Sequence, residues 1–170
     1  MKLTIERSAF LRALGHVQNV VERRNTIPIL SNVQLVADEG GLSLTATDLD
    51  LAIVETVPCE VQQPGGTTAP AHILHDIVRK LPDGAQVELD YGVEDGRLVV
   101  RAARSKFALS CLPREDFPVM ADGDLPHRFV LPAADLRRLI EKTRFAISTE
   151  ETRYYLNGIY LHVPEDAPVL

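Results

Sequence analysis

An α+β fold is predicted, made of duplicated strand–helix–three-strand units with the helices on one side of antiparallel sheet. Three observations lead there. The segments LTIERSAFLRALGHVQNVV, TTAPAHILHDIVRKL and FVLPAADLRRLIEKTRF each run from a short apolar strand through a turn into an amphipathic helix. With Phe10, Ile73 and Leu136 taken as the first large core residue of each helix, the spacing is 63 residues both times. That period exceeds those of solenoid repeats and points to duplicated half-domains. The stretches after the first two helices also match, each giving three short runs of strand character.

In the first unit the strand around Leu3 leads into a helix with the apolar stripe Phe10, Leu14 and Val17. NVQLVAD and GLSLTATD follow, with Gly40-Gly41 turning between them, and LAIVETVPCEV reads as the third strand. In the second unit the TTAPA strand leads into a helix with the stripe Ile73 and Ile77. AQVELDYGV, GRLVVRAA and KFALSCL come next, with Glu94-Asp95-Gly96 as a turn. Val87 with Leu89, and Leu98 with Val100, alternate as half-buried antiparallel strands do. Together the two units fill residues 1–125, a complete first domain. A third unit starts near Arg128 with a strand, a helix carrying Leu136 and Ile140, and one further strand, NGIYLHV. Residues 126–170 therefore read as the incomplete start of a second domain, since a strand without ladder partners leaves backbone groups unpaired. A chain cut from a longer one is the expectation.

Composition sets the remaining bounds. Hydrophobic residues at 45% and charged residues at 25% exclude a disordered chain and fit a globular one. Trp is absent, so the core must rest on Leu, Val, Ile and Ala. Cys59 and Cys111 lie in apolar stretches without metal-like spacing and read as reduced cytosolic thiols. MKLTIERSAF lacks the apolar segment of a signal peptide, and no apolar run approaches a membrane span. A cytoplasmic protein is expected.

The net charge of −6 is unevenly spread. Helical windows 7–24, 72–80 and 134–145 hold ten basic and four acidic residues, against eight and twenty elsewhere. Two and six positions after the reference residues stand Arg12 and His16, His75 and Arg79, Arg138 and Lys142. At 100° per residue these lie opposite the apolar stripes. A polar helix face is ordinarily just solvated. Three pairs in register suggest instead a shared basic surface for one polyanion, with acidic surface elsewhere. Without a recognition helix, zinc finger or aromatic stacking platform, such a surface would contact duplex backbone regardless of sequence.

Other constellations carry little. His72, His75 and Asp76 have no third-ligand cluster that would make a metal site, and His72 at the helix start suits a phosphate or capping contact. Gly65-Gly66-Thr67-Thr68 lacks the lysine of a phosphate-binding loop, and no nucleophile motif is present. Asp48 and Asp50 read as one face of an alternating strand, not as paired catalytic carboxylates. Neither a catalytic residue nor a cofactor is expected.

TIPILSNVQL, LSLTATDLDL, GTTAPA, SKFALSCLPREDFP and RYYLNGIYL together resemble the bacterial sliding clamps, the DNA polymerase III beta subunits. The resemblance covers the whole chain. It implies the DNA-clamp fold and a ring-forming, non-catalytic processivity factor that holds the replicative polymerase on duplex DNA. Two copies would close head-to-tail in the full-length parent, with polymerase and clamp-loader subunits as partners. Residue by residue, it implies that Arg24, with Arg23 beside it, and the Tyr154–Tyr155 pair contact DNA. His72 stands where the family can use arginine, and Glu150 where it can use glutamine. Arg153 and Leu156 match residues lining a groove for partner peptides, although an apolar residue such as Leu156 can equally be core. Ile77, Phe107 and Leu109 fall at the subunit interface. The rest of the peptide groove and the third domain lie past Leu170, so this chain is expected to be unable to close a ring. The alternative reading is a DNA-independent protein-interaction module of the same fold, and an enzyme of unrecognised type is a third.

Overall fold

The computed structural model describes residues 1–22, 26–118 and 130–162. The chain divides into two compact units, Met1–Ala121 and Asp122–Leu170. In the first, β1 (Lys2–Glu6) runs into α1 (Arg7–Val17), followed by β2 (Asn32–Asp38), β3 (Gly41–Thr47), β4 (Ala52–Val57) and β5 (Glu60–Gln63). The order then repeats as β6 (Gly65–Pro70), α2 (Ala71–Lys80), β7 (Gln86–Gly92), β8 (Arg97–Ala102) and β9 (Ser105–Ser110).

Every ladder is antiparallel, and the strands form two sheets, β5-β1-β7-β8-β9 and β4-β3-β2-β6. The leading strands are exchanged: β1 pairs with β7 of the second repeat, and β6 pairs with β2 of the first. Neither repeat completes its sheet alone, so the duplication folds as one body. LAIVETVPCEV, expected as a single strand, is two. Pro58 and Cys59 interrupt it, and β5 joins the other sheet beside β1. A proline supplies no N–H to a ladder, which explains the break.

Alternation sets the core. Leu3, Ile5, Val33, Leu35, Leu42, Leu44, Val87, Leu89, Leu98 and Val100 are buried on one face of the sheets, and the residues between the members of each pair are polar except Val99. Phe10, Leu14 and Val17 of α1 and Leu74 and Val78 of α2 join the same cluster. At the β2–β3 turn, Gly41 has φ +121°, and a Cβ there would sit 2.4 Å from the Val57 carbonyl oxygen, so only glycine fits. Asp48–Leu51 is a turn, not part of an alternating strand: Asp48 Oδ1 accepts from the N–H groups of Asp50 (3.0 Å) and Leu51 (2.7 Å). Those bonds, with Leu49 N–H donating to Thr47 Oγ1, hold Leu49 at φ +85°.

The helix starts differ in chemistry. Glu6 caps α1, its carboxylate accepting from the N–H groups of Ser8 and Ala9, each at 2.9 Å, and from the Ser8 hydroxyl. The Ser8 hydroxyl above all, then these two N–H groups, hold its carboxyl below the usual range. The other helices, α2 and α3 (Ala133–Thr143), each begin directly after a proline, Pro70 and Pro132. Proline suits a helix start because its φ is already set and no donor is lost.

Those starts correct the repeat register. Leu74, not Ile73, is the buried counterpart of Phe10; Ile73 is 52% exposed. The spacings are therefore 64 and 62 residues, from Phe10 to Leu74 to Leu136. Either choice sums to the same total, which is how the equal spacing misled. One residue on a helix is a 100° rotation, enough to move a side chain from core to solvent.

α1 and α2 run antiparallel. Arg7, at the start of α1, donates from Nε to Val78 O (3.1 Å) and from Nη2 to Arg79 O (2.7 Å) at the end of α2. Its Nη1 also pairs with Asp83. A fixed cation thus covers the carbonyl end of α2, where helix termini leave acceptors unpaired.

The second unit contains α3, a turn of 3₁₀ helix at Arg144–Ala146, and a second 3₁₀ segment, Glu151–Leu156, kinked at Arg153 (φ −108°, ψ 45°). The strands expected before α3 and in NGIYLHV are not formed among the described residues, where 130–132 and 157–162 have no ladder. Strand structure needs a pairing partner, whereas α3 makes its own backbone bonds. Leu136, Leu139 and Ile140 remain substantially exposed and, with Ile147, Ile159 and Tyr160, line a concavity of about 550 Å³.

Candidate nucleic-acid interface

In the corrected register, the positions two and six after the reference residue hold Arg12 and His16 on α1, Asp76 and Lys80 on α2, and Arg138 and Lys142 on α3. All six are exposed. The expected row of three basic pairs is thus two basic pairs and one mixed pair. His75 leaves the row because it points inward, with its side chain 17% exposed. Burial, ahead of the opposing Asp76 charge, pushes its imidazole below the usual value. Arg79 is exposed beside the row and pairs with Asp76 at 3.2 Å. The pair therefore offsets its charge locally.

The other basic groups differ in how free they are. His16 Nδ1 lies 3.3 Å from Glu55 Oε2 on β4. Arg138 is 3.7 Å from Asp135 one turn earlier, while Arg137 pairs with Glu141 at 2.8 Å. Among the described residues Arg12 and Lys142 have no ion pair. Exposed pairs of this kind contribute little to stability, so these side chains can be redirected to a ligand at small cost.

His72 sits in the first turn of α2 with Nε2 3.0 Å from the Val21 carbonyl oxygen, while Nδ1 is buried without a partner. Arg23 and Arg24 lie outside the described residues. Tyr154 and Tyr155 are both largely exposed, with rings edge-to-face at 5.6 Å. Arg153, at the kink between them and Glu150, has its Nε 2.8 Å from the Glu150 carboxylate. Its backbone N–H donates to Glu150 O (3.0 Å), and Leu156 O accepts from Ser148 N–H (2.9 Å). The loop is thereby closed on itself, with Leu156 half-exposed.

Of the apolar trio, Phe107 (37% exposed) and Ile77 line a concavity of about 310 Å³ with Ile73, Leu81, Asp76 and Lys80. Leu109 does not join them. At 8% exposure it belongs to the core, opposite Leu98 in the β8–β9 ladder. Phe107 and Leu109 share a strand face, but Phe107 borders the concavity beside α2 while Leu109 joins the main core. Ile73 is the residue the sequence reading missed. Aligning the helix starts at Pro70 and Pro132 would have found it.

Among the described residues no group of three or more His, Cys, Asp or Glu side chains could hold a metal. Cys59 and Cys111 are free and half-buried, and burial pushes both thiols up. No described helix is long and apolar enough to cross a membrane.

Residues 1–121 match the model of the DNA polymerase III beta subunit N-terminal domain, and residues 130–170 match that of its central domain. The beta sliding clamp of Caulobacter vibrioides (strain NA1000 / CB15N) is 60% identical over 95% of this chain and 44% of its own length. That of Pseudomonas aeruginosa is 46% identical over 96% of this chain and 44% of its own. Among solved structures, a sliding clamp from Bartonella birtlesii bound to griselimycin superposes with a TM-score of 0.91 at 49% identity, covering 98% of this chain and 44% of that one. The chain spans about 44% of the length of these relatives. It belongs to the DNA polymerase III beta subunit family, over the N-terminal domain and part of the central domain.

Proposed function

We propose that this chain supplies the N-terminal part of a sliding clamp, a non-catalytic processivity factor that encircles duplex DNA in the cytoplasm. The observation that carries this is the recurrence of Arg12 with His16 on α1 and Arg138 with Lys142 on α3, at the same two exposed positions. Neither pair resembles base readout, so they would meet phosphates of any sequence. Arg23, Arg24, Tyr154 and Tyr155 would add contacts from loops, with Arg79 at the margin. Arg153 and Leu156 would form part of a groove for peptides of polymerase and clamp-loader subunits. Ile77 and Phe107, joined by Ile73, would bury against a second copy in a head-to-tail homodimeric ring. An apolar concavity edged by Asp76 and Lys80 suits such a contact.

Binding of the 170-residue chain to fluorescent 30-base-pair duplexes of unrelated sequence, measured by anisotropy across salt concentrations, tests the DNA face. Affinity should be the same for all sequences, with a log–log salt slope of about −0.9 for each phosphate neutralised. The variant Arg12→Glu/Arg138→Glu/Lys142→Glu should lose most of that slope while keeping its circular dichroism spectrum. An unchanged slope would reject this surface.

A further inference from the structure

We propose that His72 is a positioning residue that fastens the chain at Val21, and that it does not itself meet nucleic acid. The proposal rests on the DNA-binding reading above only for what the fastening is for. A ring nitrogen 3.0 Å from a carbonyl oxygen must donate to it, so Nε2 is the donor to Val21 O. Nδ1 is buried without a partner. Neither nitrogen is offered to a phosphate, although the position lies in the first turn of a helix. The bond joins the start of α2 to the point where α1 and its 3₁₀ extension, Gln18–Val20, run out.

This bond mirrors the Arg7 clasp on the other end of the antiparallel pair, so each helix start holds the end of its partner. The Val21 carbonyl comes two residues before Arg23. On the far side of Arg24 the chain is fixed again, because Ile29 and Leu30 are buried with Phe117 in a small cluster separate from the main core. TIPIL and PREDFP, distant in sequence, meet there. His72 thus supplies one of two fixed points flanking the arginines, and Phe117 supplies the other.

Hydrogen exchange and duplex binding on the 170-residue chain test this together. His72→Leu should speed exchange of the Val21 amide, which donates to Gln18 O, about fivefold, the worth of one net hydrogen bond, with β1, β3 and β8 unchanged. His72→Gln, whose amide can still donate to Val21 O, should restore the wild-type rate. His72→Leu should also weaken duplex binding, and Arg24→Ala in that background should add less than it does alone. Unchanged exchange at Val21 in His72→Leu, or full additivity with Arg24→Ala, would overturn the proposal. If Arg24→Ala and the wild type bind duplex alike, the DNA reading of that arginine fails, and the exchange result alone decides whether His72 fastens the chain.

Discussion

Truncating Leu74 and Ile73 separately tests the helix register on which every exposed residue of α2 depends. Leu74 is fully buried among the main-core side chains, whereas about half of Ile73 faces solvent. Leu74→Ala removes buried carbon and leaves a cavity, which in a close-packed core costs about 3 kcal/mol. The first unit has 121 residues. At roughly 2.1 cal/mol/K per residue, its unfolding entropy is about 0.25 kcal/mol/K, so Tm should fall by about 12 °C. Ile73→Ala loses partial burial and no sealed volume, and should cost under about 1 kcal/mol, or roughly 4 °C. Ile73→Lys should fold, because its ammonium reaches water from that position; Leu74→Lys should not. Thermal melts of the purified chain followed by circular dichroism suffice. If Ile73→Ala lowers Tm as much as Leu74→Ala, α2 is rotated from the orientation described, and its assignment of inward and outward residues fails.

Three further outcomes follow from the same packing. Arg7→Met should cost about 2 kcal/mol by removing charge-assisted bonds to the end of α2, while Asp83→Ala, at an exposed partner, should leave the urea midpoint nearly unchanged. Because burial lowers the His75 pKa, the unfolded chain binds the proton more readily; stability should be full above the unfolded value near 6.5 and fall as pH drops below it. His75→Phe should remove that part of the loss in Tm measured between pH 7.5 and 5.5. Gly41→Ala forces a Cβ against the Val57 carbonyl at a positive φ and should cost about 3 kcal/mol in chemical denaturation, against about 1 kcal/mol for Gly84→Ala, where φ is positive but space is open.

Local elements were legible in the sequence because their signals are local. The alternation of Val87 with Leu89 and of Leu98 with Val100 reports a half-buried strand whichever neighbour it pairs with. Pairing is another matter. That β1 joins β7 and β6 joins β2 depends on contacts between residues at least 28 apart in sequence, and a repeat folding on its own sheet would show the same periodicity. The Pro58-Cys59 break in LAIVETVPCEV was visible as a proline, but only the second sheet explains where β5 goes. In the 130–162 segment the apolar pattern of NGIYLHV has strand character without strand structure. Pattern states which face would be buried, and a ladder still needs a partner.

The candidate site was less legible because charge readings inherit the register error at full strength. Choosing Ile73 over Leu74 rotates α2 by 100° and converts Asp76 and Lys80 into His75 and Arg79 as the supposed outward pair. His75 is the residue this reading gets most wrong: it counts as half of a basic pair on paper, yet lies against the core with its charged form disfavoured. Arg12, Arg138 and Lys142 keep their exposed positions, since α1 and α3 were aligned on residues that do fall on the apolar stripe. The error also carries its own diagnostic. A basic row facing a polyanion should contain cations without close acids, as Arg12 and Lys142 do among the described residues, whereas Arg79 has Asp76 at 3.2 Å. A phosphate approaching α2 must therefore displace Asp76 from Arg79 or rely on Lys80, so α2 should contribute less to the salt slope than α1 or α3. Replacing Asp76 with Asn would free Arg79 and remove one negative charge, and should make the slope steeper by up to about 0.9, the share of one added phosphate contact. A slope that stays put in Asp76→Asn would mean that the outward face of α2 does not meet the duplex at all.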